Sequence, residues 1–210
     1  MPIIYALGHH IMGFLAKYYL RLQIRNADIP REFERGAIIA SNHVSFLDPP
    51  MVGIGTGQAI WYIARKTLFN HPFFDWLYKH WQAIPLDQNK PELSTMKKAI
   101  RLVKDDGEKL LIFPEGERSW DGELGEGAQG IGFILAKSKS PVIPARIFGA
   151  FESYPRGSAY PKRGMVTVIY GDPIDMETFL AESGLRGKAL YAAATERVMD
   201  GIRELDLYTS

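Results

Sequence analysis

The chain has 210 residues, 46% of them hydrophobic, with 25 Lys and Arg against 24 Asp and Glu and no cysteine. That is enough for one domain with a real core, and a single domain over 1–210 is expected. A formal net charge of +1 argues against a nucleic-acid surface built on gross positive charge, and the absence of cysteine excludes disulfides, thiolate catalysis and Cys-based metal sites.

In chain order, residues 3–20 are apolar and aromatic but interrupted by His9, His10 and Lys17. The stretch falls short of a clean span of ~20 apolar residues, and it lacks the basic leader and cleavage site of a signal peptide. Lys17, Arg21 and Arg25 follow the aromatic segment, so residues 1–22 are expected to form an amphipathic helix in the interface of an anionic bilayer, with packing on its own domain as the alternative. Short apolar runs predict strands at 22–24, 37–41, 61–64 and 83–86, the last carrying Pro85, which favours an edge or an end. Residues 72–81 read as an aromatic helix. Asn89-Lys90-Pro91 opens another, with Leu93, Met96, Ile100 and Val103 at helical spacing and Gly107 as its stop. Further strands are predicted at 110–113, 141–147 and 165–170. Helices follow the glycine-rich stretch 122–132 and cover 185–205, while 151–163 is the best candidate for a mobile loop. This alternation indicates an α/β fold, a mixed, largely parallel sheet flanked by helices.

The chemistry concentrates in two loops. His43 and Asp48 lie in Ser41-Asn42-His43-Val44-Ser45-Phe46-Leu47-Asp48-Pro49. At this spacing a continuous helix separates two side chains by roughly 140° and a strand by about 17 Å, so only a curled loop brings them together. Asp48-Pro49 is also a helix-start signature, with Asp as N-cap and Pro at the first helical position. A histidine whose second nitrogen is held by an aspartate can deprotonate an external hydroxyl without a protein nucleophile. In the bland alternative Asp48 caps the helix and His43 fills a polar turn. The second loop, Phe113-Pro114-Glu115-Gly116-Glu117-Arg118-Ser119, follows a strand end, where open α/β sheets place ligands. Arg118 suits a phosphate through its planar fork, Glu115 can accept hydrogen bonds from a polyol, and Gly116 permits close backbone approach, although such a loop can equally be a turn with solvated charges.

Asn42 to Asp48 and Phe113 to Ser119 resemble the first and third motifs of the glycerophospholipid acyltransferase family, and Val142-Ile143-Pro144-Ala145 is similar to its hydrophobic fourth motif. The resemblance covers roughly residues 35 to 175. It implies transfer of a fatty acyl group from acyl-CoA or acyl carrier protein, as co-substrate and with no resident cofactor or metal, to the free hydroxyl of a lysophospholipid. The acceptor it favours is 1-acylglycerol-3-phosphate, giving phosphatidic acid. By that likeness His43 is the base, Asp48 orients it, and Arg118 with Glu115, Gly116 and Ser119 holds the acceptor. The second motif usually ends in arginine where Gln88 stands here, which leaves the headgroup open; Lys66 resembles a family lysine near the phosphate. Peripheral attachment to the cytoplasmic face of a membrane is the expected location, with no nucleic-acid partner.

Ser45 has no Gly-x-Ser-x-Gly elbow around it, and His9 and His10 diverge by about 100° on a helix, which suits interfacial polar residues better than a metal site. Phe73, Phe74, Trp76, Tyr78 and Trp81 are expected as core, or else as an apolar wall for an acyl chain or a second membrane contact. Two rival functions use the same residues: a thioesterase or lipid hydrolase in which His43 activates water, and a non-catalytic phospholipid-binding protein.

Overall fold

The computed structural model describes residues 3–87 and 92–208. Its elements in chain order are α1 Ile3–Tyr18, β1 Gln23–Arg25, α2 Asp28–Glu32, β2 Ala37–Ser41, α3 Asp48–Thr56, β3 Trp61–Arg65, a 3-10 turn Lys66–Phe69, α4 Pro72–His80, β4 Ala83–Leu86 and α5 Leu93–Lys104. There follow β5 Lys109–Ile112, α6 Gln129–Ser138, β6 Val142–Phe148, α7 Ala150–Ser153, β7 Thr167–Tyr170, α8 Met176–Glu182 and α9 Gly187–Arg203. Gln88 and the expected helix opening at Asn89-Lys90-Pro91 lie outside the described residues.

The strands form one sheet in the order β1-β7-β6-β2-β5-β3-β4. Every neighbouring pair is parallel except β6 and β7, so the sheet is mixed and largely parallel, as expected from the sequence. β2 lies at its centre, with Ile39 level with Leu111 of β5 and Ile143 of β6. All five of its residues are buried, because helices cover both faces. β4 is the edge strand beside β3, a place where the missing N–H of Pro85 breaks no ladder on its outer side.

Alternation along β2 sorts the core into two layers. Ile38 and Ala40 face α5, α6, α8 and α9, with Ala99, Leu102, Leu135, Val198 and Ile202 around them. Ala37 and Ile39 face α1 and α3, with Ala16, Leu20, Met51, Val52 and Tyr170. The first layer depends on close helix contact: a Cβ on Gly132 of α6 would stand 2.0 Å from the carbonyl oxygen of Tyr191 on α9. In the second layer α1 carries two stripes. Tyr5 and Ala16 are buried and Met12 half-buried, whereas Leu7, Ile11, Phe14 and Tyr18 are exposed.

Three local details differ from the sequence expectation. Asp48 is the first helical residue of α3 and makes no cap bond to that helix, since its carboxylate turns back to the preceding loop. The short helix α8 is not among the expected elements, although Asp175 caps it by accepting from the Thr178 amide at 3.1 Å. The stretch expected to be a mobile loop starts inside the short helix α7, and it is anchored at two points: the Tyr154 carbonyl accepts from Ser45 Oγ at 2.8 Å and the Pro161 carbonyl from Tyr19 Oη at 3.0 Å.

Candidate active site

Four adjacent strands, β6, β2, β5 and β3, run parallel and therefore end at the same edge of the sheet. β2 delivers His43, β5 delivers Glu115 and Arg118, β3 ends at Arg65, and β6 leads into the loop bearing Tyr154 and Arg156. This is the edge at which open α/β sheets bind ligands.

Past the end of β2 the chain curls, and Asn42 holds the start of the curl. Its side-chain amide donates to the Ile147 carbonyl at 3.0 Å and its oxygen accepts from the Ile147 amide at 2.7 Å, so it extends the β2–β6 pairing by one rung. The curl then closes on Asp48. Asp48 Oδ2 accepts from the amides of Val44 and Ser45, each at 2.7 Å, and lies 2.8 Å from His43 Nδ1. A carboxylate beside Nδ1 makes that nitrogen the protonated one, which leaves Nε2 as the acceptor for a substrate proton. The Asp48 side chain is fully buried while that of His43 is 18% exposed, so the carboxylate is shielded and the imidazole is reachable. Phe113 stacks on the imidazole, ring centroids 3.9 Å apart and planes within 16°.

The second loop is locked to the first. Glu115 Oε1 accepts from the His43 amide at 2.7 Å and Oε2 from the Gly125 amide at 2.8 Å. Both oxygens of Glu115 thus serve the backbone, joining the histidine loop to the glycine-rich stretch. Burial pushes its carboxyl up from the ordinary value, against the pull of these two amides. Gly116 turns the chain at φ +77°, a conformation that favours glycine. The Ser119 amide donates to the His43 carbonyl at 2.8 Å, while its hydroxyl donates to Asp121 Oδ1 at 2.8 Å and accepts from the Gly122 amide. Ser119 therefore shapes a turn. The Arg118 guanidinium lies 3.4 Å from the centroid of the exposed Phe46 ring, and its Nη1 is buried without a hydrogen-bond partner among the described residues. Partial burial lowers its pKa first, followed by repulsion from Arg156 and Arg65.

Lys66 is directed elsewhere. Its ammonium forms an exposed ion pair with Glu92 at 2.7 Å, which raises the lysine and lowers the glutamate. The cation on this strand that Arg118 feels is the preceding residue, Arg65. The signal in the sequence was the strand end itself, because β3 continues one residue beyond the apolar run, to Arg65. Arg156 carried no local signal, since its place depends on a loop 38 residues downstream of Arg118 folding back across the site.

Beside the histidine, an apolar cavity of about 250 Å³ lies between α1, α3, β3 and α4. Phe46 and Phe113 line its end near His43, with Tyr5, Gly8, His9 and Met12 on one wall and Tyr78 and Trp81 on another. Of the aromatic residues on α4, Phe73, Phe74 and Trp76 are exposed rather than core. His9 lines the cavity, and burial lowers its pKa; His10 instead pairs through Nδ1 with the Ala6 carbonyl at 2.7 Å.

Known proteins resemble this chain in sequence and in fold. The chain is 33% identical over 175 residues to the 1-acyl-sn-glycerol-3-phosphate acyltransferase of Bacillus subtilis, covering 82% of each chain. It is 34% identical over 140 residues to a chloroplastic 1-acyl-sn-glycerol-3-phosphate acyltransferase of Brassica napus, covering 65% of this chain but 40% of that protein. Its fold resembles the crystal structure of the 1-acyl-sn-glycerophosphate (LPA) acyltransferase from Thermotoga maritima, with a TM-score of 0.73 at 24% identity, over 99% of this chain and 80% of the other. Residues 21–148, which contain both loops, match the Acyltransferase family, and the chain is a member of that family of enzymes.

Proposed function

We propose that this enzyme transfers a fatty acyl group from an acyl thioester, acyl-CoA or acyl carrier protein, to the free hydroxyl of 1-acylglycerol-3-phosphate, giving phosphatidic acid. The observation that carries this reading is the oriented His43, flanked on one side by Arg118, whose buried Nη1 has no hydrogen-bond partner among the described residues, and on the other by an apolar cavity. His43 Nε2 takes the proton of the acceptor hydroxyl as its oxygen attacks the thioester carbonyl carbon. The tetrahedral intermediate then collapses, the C–S bond breaks, and the imidazolium gives its proton to the leaving sulfur, releasing the free thiol and restoring neutral His43. Buried Asp48 stabilises that imidazolium. A thioester is already activated, so alignment of the alkoxide supplies much of the rate. Arg118 and Arg65 hold the acceptor phosphate, and the cavity receives an acyl chain.

In this reading the enzyme works peripherally, on the cytoplasmic face of a membrane. The exposed stripe of α1 and the aromatic residues Phe73, Phe74 and Trp76 of α4 support that, since both helices also wall the cavity. No helix among the described residues is long and apolar enough to cross a bilayer.

Purified protein given labelled acyl-CoA and 1-acylglycerol-3-phosphate is expected to form phosphatidic acid in a His43-dependent manner, read by lipid mass spectrometry. Release of free fatty acid at a rate indifferent to the acceptor would replace this reading with a hydrolase. Sedimentation with anionic vesicles, retained in His43→Ala and lost in Phe14→Glu, tests the membrane contact separately.

A further inference from the structure

Arg156, on the loop after α7, makes contacts that an ordinary surface arginine does not. Its Nη1 donates to the Arg118 carbonyl at 3.3 Å and to Glu117 Oε2 at 3.0 Å, and its guanidinium lies 3.7 Å from the centroid of the Trp120 ring. Three consecutive-turn residues, 117, 118 and 120, are thereby held by one side chain that arrives from a different part of the chain. The same loop is anchored beside His43 by the Ser45 hydroxyl on the Tyr154 carbonyl. It spans the site like a strap, from the base to the guanidinium.

We propose that Arg156 is a positioning residue for Arg118, holding from a distant loop the turn that completes the seat in which Arg118 and Arg65 meet the acceptor phosphate. The proposal rests on the acceptor reading above and adds the residue that sets Arg118 in place. Arg156 fixes the turn from its backbone side, so the Arg118 fork meets the ligand with its torsions already set. Partial burial lowers Arg118 first and repulsion from Arg156 and Arg65 adds to it, while Arg156 is itself paired with Glu117 at 3.0 Å. A phosphomonoester carries a charge near −2 above its second pKa of about 6, which relieves that repulsion. The buried, unpartnered Nη1 of Arg118 is the donor a phosphate oxygen would satisfy.

The test uses the full chain as wild type, Arg156→Lys and Arg156→Gln. Calorimetric titration with glycerol 3-phosphate is expected to show binding in wild type, weakened in Arg156→Gln. With acyl-CoA as donor, Arg156→Gln should raise KM for 1-acylglycerol-3-phosphate about 10-fold while kcat and the donor KM change less than about 3-fold, and Arg156→Lys should fall between, keeping charge but losing the fork. An unchanged acceptor KM, or a uniform loss toward donor and acceptor with a falling melting temperature, would overturn it. If wild type binds glycerol 3-phosphate through Arg156 yet makes no phosphatidic acid, the reaction assignment fails and the seat stands. Normal phosphatidic acid synthesis with an indifferent Arg156→Gln fails the seat and leaves the reaction.

Discussion

The two faces of the sheet are covered by helices in different ways. On the α5, α6, α8 and α9 side, the helices meet so closely that Gly132 leaves no space for a Cβ against Tyr191, and the layer is a filled core. On the α1, α3 and α4 side, the layer holds a cavity of about 250 Å³ and shows aromatic side chains outward. Close packing carries stability, while a gap beside a histidine leaves room for a ligand, so one face of this protein is built as a filled core and the other as an open one. The strand ends, where the loops of the candidate site lie, connect the two.

Substitutions can break that division or sharpen it. His43→Ala removes the proton acceptor and should lower acyl transfer by about 10³-fold or more with little change in melting temperature. Asp48→Asn retains the size of the side chain but loses the charge beside Nδ1, and a fall of about 10²–10³-fold in kcat is expected in a steady-state assay. Gly132→Ala acts on the other face: forcing a methyl against the Tyr191 carbonyl should cost about 1–3 kcal/mol, seen as a lower denaturation midpoint, with activity per folded molecule intact. Were it to alter acyl-chain preference, the separation of the two faces would be wrong.

Glu115→Gln tests the link between the loops. The amide replaces one acceptor oxygen with a donor facing the His43 or Gly125 N–H, and kcat should fall about 10-fold. The carboxyl of Glu115 is raised by burial, so the folded state holds this proton more tightly than the unfolded chain does. Its contribution to stability is present below the unfolded value of ~4.3 and is lost as pH rises through the raised folded value, so wild type should have its largest stability advantage over Glu115→Gln at acid pH. Melting curves of both proteins across that range check the sign. The smallest effect is expected for Lys66→Ala, with an unchanged melting temperature and a change of less than about 3-fold in acceptor KM, because its partner is the exposed Glu92.

The strands and long helices were legible from the chain because apolar period and turn residues are local. Thus 37–41 and 83–86 read as strands with their observed bounds, and Pro85 marked the edge. The pairing of His43 with Asp48 was legible because the spacing excludes both regular elements, leaving a curl as the only geometry that joins them. What misled was one residue with two available uses. Asp before Pro signals a cap, yet an amide-rich loop and an imidazole made the backward direction the better one for Asp48. Lys66 and Arg65 are neighbours of equal charge, and nothing local distinguishes the one at the strand end from the one on the turn.

The sequence alone determined the α/β class, the two loops that make up the candidate site and the histidine proposed as base, since periodicity, spacing and residue chemistry are written within a few positions. Only the tertiary structure decided that Glu115 binds backbone, that Arg65 rather than Lys66 neighbours Arg118, and that Arg156 reaches across from a distant loop. Those assignments depend on which strand ends lie side by side, and parallel pairing sets that order among residues far apart in the chain.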